Sequence, residues 1–231
     1  MKVIGIILIS LFLFSCDDDP VLPDKFVDSI SYRVVNVVNS DTYIVNDAET
    51  GIDNIVLLNY KFISDSNQLF YRIPVPNRKN PANFYTSKVL HDTEFPDWNR
   101  IDMREMILYS EDYGKIEFTL DKLDDQFIKD YRDSSRFNEF KTPDRYSLIV
   151  EGYYRKNGKF YSFNLNSKYE GKIGAIFSPE TRLYYNIKRS IKVEMSAESF
   201  FTIDGKVLEP LQSNMPLLEK NFNKCLKATA F

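Results

Sequence analysis

The sequence predicts a mainly β protein, an antiparallel β-sandwich carrying one or two short helices. Three observations lead there. Tyr and Phe are abundant, with 15 and 18 copies, and aromatics make up 15% of the chain; such side chains suit the pleated, half-buried surface of a strand. From about Ile30 the apolar residues come in short alternating or continuous runs separated by turn residues, the pattern of successive strands. Asn157-Gly158 stands between two alternating runs, the strongest local signature of a hairpin. With 231 residues the chain can bury about 70% of its unfolded surface, and all-β units of about 200 to 250 residues commonly form one domain. A single domain over residues 30–231 is expected, with seven or so strands spaced as in an immunoglobulin- or transthyretin-like sandwich.

The N-terminal segment has a different character. Lys2 precedes a run from Val3 to Phe14 that is apolar except for Gly5 and Ser10. That run is shorter than the roughly 20 residues a spanning helix needs and fits the apolar region of a secretory signal, about 7 to 15 residues. It ends in Leu13-Phe14-Ser15-Cys16, which resembles the lipobox of bacterial lipoproteins: an aliphatic residue, a variable one, a small one and the cysteine. The resemblance implies a signal peptide over residues 1–15, a diacylglyceryl thioether on Cys16, and acylation of the new amino terminus. At about 0.8 kcal/mol per buried CH₂, two or three chains hold a protein on a membrane where one is marginal. The competing reading is a plain signal peptide with an incidental cysteine at its end.

Asp17, Asp18 and Asp19 follow directly and open an acidic, proline-containing tether over residues 16–29. Acidic residues just after a lipidated cysteine resemble the surface-export signal of Bacteroidetes lipoproteins. In enteric bacteria an aspartate there would instead mean retention in the inner membrane.

Within the domain, "SISYRVVNVV" and "IDNIVLLNYKFI" read as early strands, the second apolar enough to be central in a sheet. "GKIEFTL" alternates, with Ile116, Phe118 and Leu120 on one face. The stretch 74–99 holds several prolines, the only tryptophan, Trp98, and the only histidine, His91; it is expected to be a long loop, the kind of segment that often carries function. Leu120, Leu123, Phe127, Ile128 and Tyr131 keep a helical period. A two-residue turn at Asn157-Gly158 sets Lys156 opposite Lys159, Tyr154 opposite Tyr161, Gly152 opposite Phe163 and Val150 opposite Leu165. Those residues share a core face with Leu148, and Tyr153 shares the wet face with Glu151, Arg155, Ser162 and Asn164. "RLYYNIKR" and "SIKVEM" read as further strands, Asp204-Gly205 as a turn, and the segment after Pro216 as a short helix with Leu218, Phe222, Cys225 and Leu226 on one face.

Much chemistry is missing from the sequence. One histidine removes most metal sites and most nucleophile–base pairs, and no phosphate-binding glycine loop, Gly-x-Ser-x-Gly or zinc-type cysteine pair occurs. With Cys16 lipidated, Cys225 is the remaining thiol, read as a small hydrophobe on a packed face. Asp47, Glu49 and Asp53 lack the spacing of a calcium loop and read as an acidic turn. Loss of Lys2 with the signal leaves 29 basic against 33 acidic residues, a formal charge of −4, and the basic residues are spread along the chain, so nucleic acid is not an expected partner. No metal, cofactor or catalytic residue is expected. Tyr153 and Trp98, each beside polar residues, are the candidate ligand-binding aromatics.

The hairpin "EGYYRKNGKFYSF" and the late "IKVEMSAESFF" resemble segments of uncharacterised β-sandwich lipoproteins of the Bacteroidetes. That resemblance implies a fold and a compartment. The expected role is a non-enzymatic binding or assembly component, lipid-anchored in the outer membrane at the cell surface, whose partner is a protein complex or a glycan. The alternatives are a glycan-binding lipoprotein of a polysaccharide uptake system and, more remotely, a two-carboxylate glycoside hydrolase.

Overall fold

The apolar run that starts at Ile52 continues well past Ile63, as one strand of 20 residues to Tyr71. The computed structural model describes residues 26–27, 33–36, 41–81, 83–92, 108–109, 111–130, 135–182 and 190–230. Its strands are β1 (Phe26–Val27), β2 (Arg33–Asn36), β3 (Thr42–Asp47), β4 (Ile52–Tyr71), β5 (Asn83–Asp92), β6 (Leu108–Tyr109), β7 (Asp112–Leu120), β8 (Leu148–Lys156), β9 (Lys159–Ser167), β10 (Gly171–Arg182), β11 (Ser190–Met195), β12 (Thr202–Ile203), β13 (Lys206–Val207) and β14 (Leu226–Ala230). Short helices are α1 (Asp125–Asp130), α2 (Ala197–Phe201) and α3 (Met215–Leu218). No helix among the described residues is long and apolar enough to cross a membrane.

Ten strands form one sheet in the order β2-β11-β14-β10-β7-β4-β8-β9, with β3 and β5 also paired to β4. β4 organises it. Lys61 and Phe62 pair with both β8 and β5, Val56 with both β3 and β8, and Ser64 with both β5 and β7. One edge of β4 therefore carries β8 and then β7, and its other edge carries β3 and then β5. Register shifts near Ile52/Asn54, Leu57/Asn59, Ser64/Ser66 and Phe70/Tyr71 bend the strand, as bulges do. One core cluster holds Ile55, Leu57, Val150 and Leu165 together with Ile173, Val193, Leu226 and Phe200. Tyr60 of β4 is fully buried and its hydroxyl donates to Val193 O on β11 at 2.9 Å. A smaller cluster on the opposite face joins Ile63, Leu90, Leu123, Phe137, Phe140 and Ile149, with Phe127 and Ile128 of α1 packed on it.

The mainly β expectation holds, with a mixed sheet in place of a wholly antiparallel one: β10 runs parallel to β14, and β11 parallel to β2. The hairpin has the register read from its turn, from Lys156↔Lys159 to Leu148↔Ser167, and Asn157 and Gly158 both have positive φ, 50° and 77°. Asp204-Gly205 joins β12 to β13, and "SIKVEM" is β11.

Three local expectations are corrected. The stretch 74–99 is not one long loop, because residues 83–92 form β5, paired along β4. The helix expected from Leu120 starts at Asp125: Leu120 is held as the last residue of β7, and Asp124 Oδ1 accepts the Phe127 N–H at 2.6 Å to start the turn. The C-terminal helical turns stop at Asn221, and Leu226 opens β14. Leu218, Phe222, Cys225 and Leu226 are nonetheless all buried, and burial pushes the Cys225 thiol up to about 12. "RLYYNIKR" lies outside the described residues after Arg182.

Candidate ligand-binding surface

The β8–β9 hairpin positions the described candidate, Tyr153. Alternation along β8 turns Leu148, Val150, Gly152 and Tyr154 into the core and Glu151, Tyr153 and Arg155 outward. The Tyr153 ring is partly exposed and meets Phe160 edge-on, with centroids 6.0 Å apart and planes at 65°. Phe160 is 67% exposed. The Arg155 guanidinium lies 5.8 Å from the Phe160 centroid and pairs with Asp53 at 3.3 Å. Deeper on the same face Glu151 accepts from Asn164 Nδ2 at 2.9 Å and from Asn59 Nδ2 at 3.3 Å. Asn54 Oδ1 and Asn59 Oδ1 are buried without a hydrogen-bond partner. Tyr153 and Phe160 thus form one compact aromatic contact in place of a row of separated rings.

At the far end of β9 the residues 212–221 come against the strand. Gln212 Oε1 accepts from Asn166 N at 2.8 Å and its Nε2 donates to Asn166 O at 2.7 Å, as a neighbouring strand would. Ser167 Oγ donates to Glu219 Oε1 at 2.5 Å. Between these elements opens a cleft of about 460 Å³ lined by Tyr146, Asn164, Asn166, Lys168, Gln212 and Glu219. A second hollow of about 360 Å³ lies across Pro216 and Glu219 from it. Lys168 Nζ sits 6.0 Å from the Tyr146 ring and donates to Asp144 at 2.5 Å, and the Tyr146 hydroxyl donates to the same carboxylate at 3.2 Å. Lys168 holds the Asp144 carboxyl low while Asp144 raises the lysine; burial and then Asp144 push the Tyr146 phenol up. The lining offers amides, one aromatic ring, one cation and one carboxylate, a set suited to a neutral ligand rich in hydroxyls. Sequence reading missed it, because Asn166 and Gln212 are 46 residues apart and no local pattern joins them.

His91 is corrected from a loop residue to a strand residue in the core. It is fully buried on β5, with Nε2 2.9 Å from Ser64 Oγ and its ring 4.3 Å from Phe62 and 5.0 Å from Phe118. Its Nδ1 has no hydrogen-bond partner, and burial lowers its pKa to about 3, so the ring is neutral. Ser64 is as buried as His91, which keeps a substrate from the pair.

The acidic segment Asp47–Asp53 is a turn: Asp47 accepts from Glu49 N at 2.9 Å and Thr50 Oγ1 at 3.1 Å, and Asp53 accepts from Gly158 N at 3.2 Å. Among the described residues no three His, Cys, Asp or Glu side chains gather as a metal site. Lysines hold Glu117 and Glu209 low against the burial that pushes them up, and Phe127 N–H, then Lys88, hold Asp124 low. None of these is the raised carboxyl that acid catalysis uses. Cys16, Asp17, Asp18, Asp19 and Trp98 lie outside the described residues. Compared with protein-family models, curated proteins and solved structures, the chain matches none.

Proposed function

We propose that this chain is a lipid-anchored protein of the outer membrane, displayed at the cell surface, that works as a non-enzymatic binding or assembly component. The observation that carries the reading is Leu13-Phe14-Ser15-Cys16 at the end of a short apolar run, followed by three aspartates. Cys16 bears the lipid, residues 17–29 form the tether, and a two-layered β domain presents its binding surface beyond. The layering is supported by the Tyr60 hydroxyl donating to Val193 across the core. The test is metabolic labelling with an alkyne fatty acid. The wild-type chain takes the label and Cys16→Ala does not, because only the thiol accepts the diacylglyceryl group; label on the Cys16→Ala chain overturns the reading.

A second reading, glycan binding in a polysaccharide uptake system, is favoured by the Tyr146, Asn164 and Asn166 lining of the cleft beside β9. Full-length protein in detergent then binds a neutral oligosaccharide from the cell's growth polysaccharides, and Tyr146→Ala weakens that binding about two- to tenfold, the scale of one lost aromatic contact of about 0.5–1.5 kcal/mol. Equal binding by the variant removes the cleft from this role.

A further inference from the structure

Among the described residues, nothing covers the middle of the outermost strand of the sheet beside this surface. β9 ends the strand order among the described residues. It pairs with β8 without a bulge from Lys159 to Ser167, and it contains no proline. From Phe160 to Leu165 it carries no charge, and Phe160 and Tyr161 are 67% and 43% exposed. Sheet edges are ordinarily shielded by lysine, proline, bulges or shortness.

The turn determines which backbone groups of β9 point away. In a two-residue hairpin the pair flanking the turn, Lys156 and Lys159, exchanges hydrogen bonds, so Lys159, Tyr161, Phe163 and Leu165 bond inward. The N–H and C=O of Phe160, Ser162, Asn164 and Asn166 then point to the open edge. Asn166 gives an independent check, since both its groups are taken by the Gln212 side chain from that side. The chain caps its own edge at Asn166, and among the described residues none caps Phe160, Ser162 or Asn164 in that way.

We infer that this edge is a homodimer interface, in which β9 pairs antiparallel with β9 of a second copy about a two-fold axis at Ser162. Ser162 faces Ser162 of the second copy, and Phe160 faces Asn164 on each side of the axis. All the outward groups of the three uncapped residues are then satisfied. Tyr161 falls opposite the second copy's Phe163 twice, an aromatic cross-strand pair of the favourable kind. Lys159 falls opposite Leu165, so no like charges meet. Other registers fit less well. Centring on Asn164 drives Ser162 into the second copy's Gln212 cap, and centring on Phe160 runs the strand into the Gly158 turn. Centring on Tyr161 pairs Phe160 with Ser162 but leaves Asn164 against the turn, and centring on Phe163 pairs Ser162 with Asn164 but leaves Phe160 against the Gln212 cap. The second copy is favoured over an unrelated strand because this one register satisfies every free group with the chain's own uncharged sequence. A two-fold contact of this kind closes at two copies. The inference does not depend on the lipid reading.

The test uses the full chain in detergent. Ser162→Cys places two thiols across a bonded antiparallel pair, where Cα atoms lie about 5.5 Å apart, within disulfide reach; mild oxidation gives a covalent dimer, and Lys206→Cys, exposed on β13, does not. Ser162→Pro removes an outward N–H at an edge position where proline is tolerated, so the variant still unfolds cooperatively as a folded domain while light-scattering mass falls from two copies to one. A one-copy mass for the wild type, equal cross-linking at positions 162 and 206, or an edge occupied by a different polypeptide overturns the inference.

Discussion

His91 sits in a strand with an unpartnered Nδ1, surrounded by Phe62, Phe118 and Ser64, and this gives the fold an acid sensitivity. In the unfolded chain a histidine takes a proton at about 6.5; in the fold His91 does so only at about 3. Between those values the unfolded chain binds more protons, so stability falls as pH falls, by up to about 1.4 kcal/mol per pH unit. Urea unfolding at pH 7, 6 and 5 is expected to show a declining midpoint, above the range where most carboxylates titrate, and His91→Phe to flatten that decline. An equal slope in the variant assigns the acid sensitivity elsewhere. Gly152 makes a second residue-scale case: a Cβ there would lie 2.1 Å from Val56 O and 2.6 Å from Phe163 Cζ. Gly152→Ala therefore forces β8 away from β4 or displaces the Phe163 ring. An overpacking cost of about 1–3 kcal/mol is expected as a lower melting temperature. Neither environment was legible in the sequence, because a lone histidine among prolines reads as loop and a glycine inside a strand announces only that some neighbour is close.

The hairpin was legible in full, and β4 was not; the contrast is one of range. Asn157-Gly158 specifies its own turn, and a two-residue turn fixes every pair along β8 and β9. Gly158 has φ +77° with open space around an added Cβ, so Gly158→Val tests backbone strain alone. The expected cost is about 1–3 kcal/mol, read as a drop of several degrees in melting temperature at about 2–4 °C per kcal/mol for a chain of this size. An unchanged melting temperature would contradict the turn. In β4 the apolar run passes into Ser64-Asp65-Ser66-Asn67-Gln68, which reads as polar loop. Those residues stay in the sheet because β5 and β7 pair with them from either side, a tertiary decision that propensity does not encode. β14 escaped for a similar reason. Its "LKATA" is neutral between helix and strand, and pairing to β10 and β11 decides it.

For the whole molecule, mainly β architecture and a single polar-aromatic hairpin face were readable from alternation. The parallel pairings and the cleft between β9 and residues 212–221 were not, since both join segments distant in the chain. The proposal of an anchored, surface-displayed binding protein rests on the N-terminal residues and assigns the β domain a position outside the cell. Asp17, Asp18 and Asp19 are the hypothesised export signal, read as a cluster of charge next to Cys16. Changing all three to Ala is expected to leave acylation intact and to move the protein to the periplasmic side. The most direct measurement is protease shaving of intact cells, with acylation followed in parallel. The account predicts that the wild type is digested and the triple variant is labelled by lipid but shielded. A wild type already shielded from protease, or a triple variant digested as fast as the wild type, would contradict it.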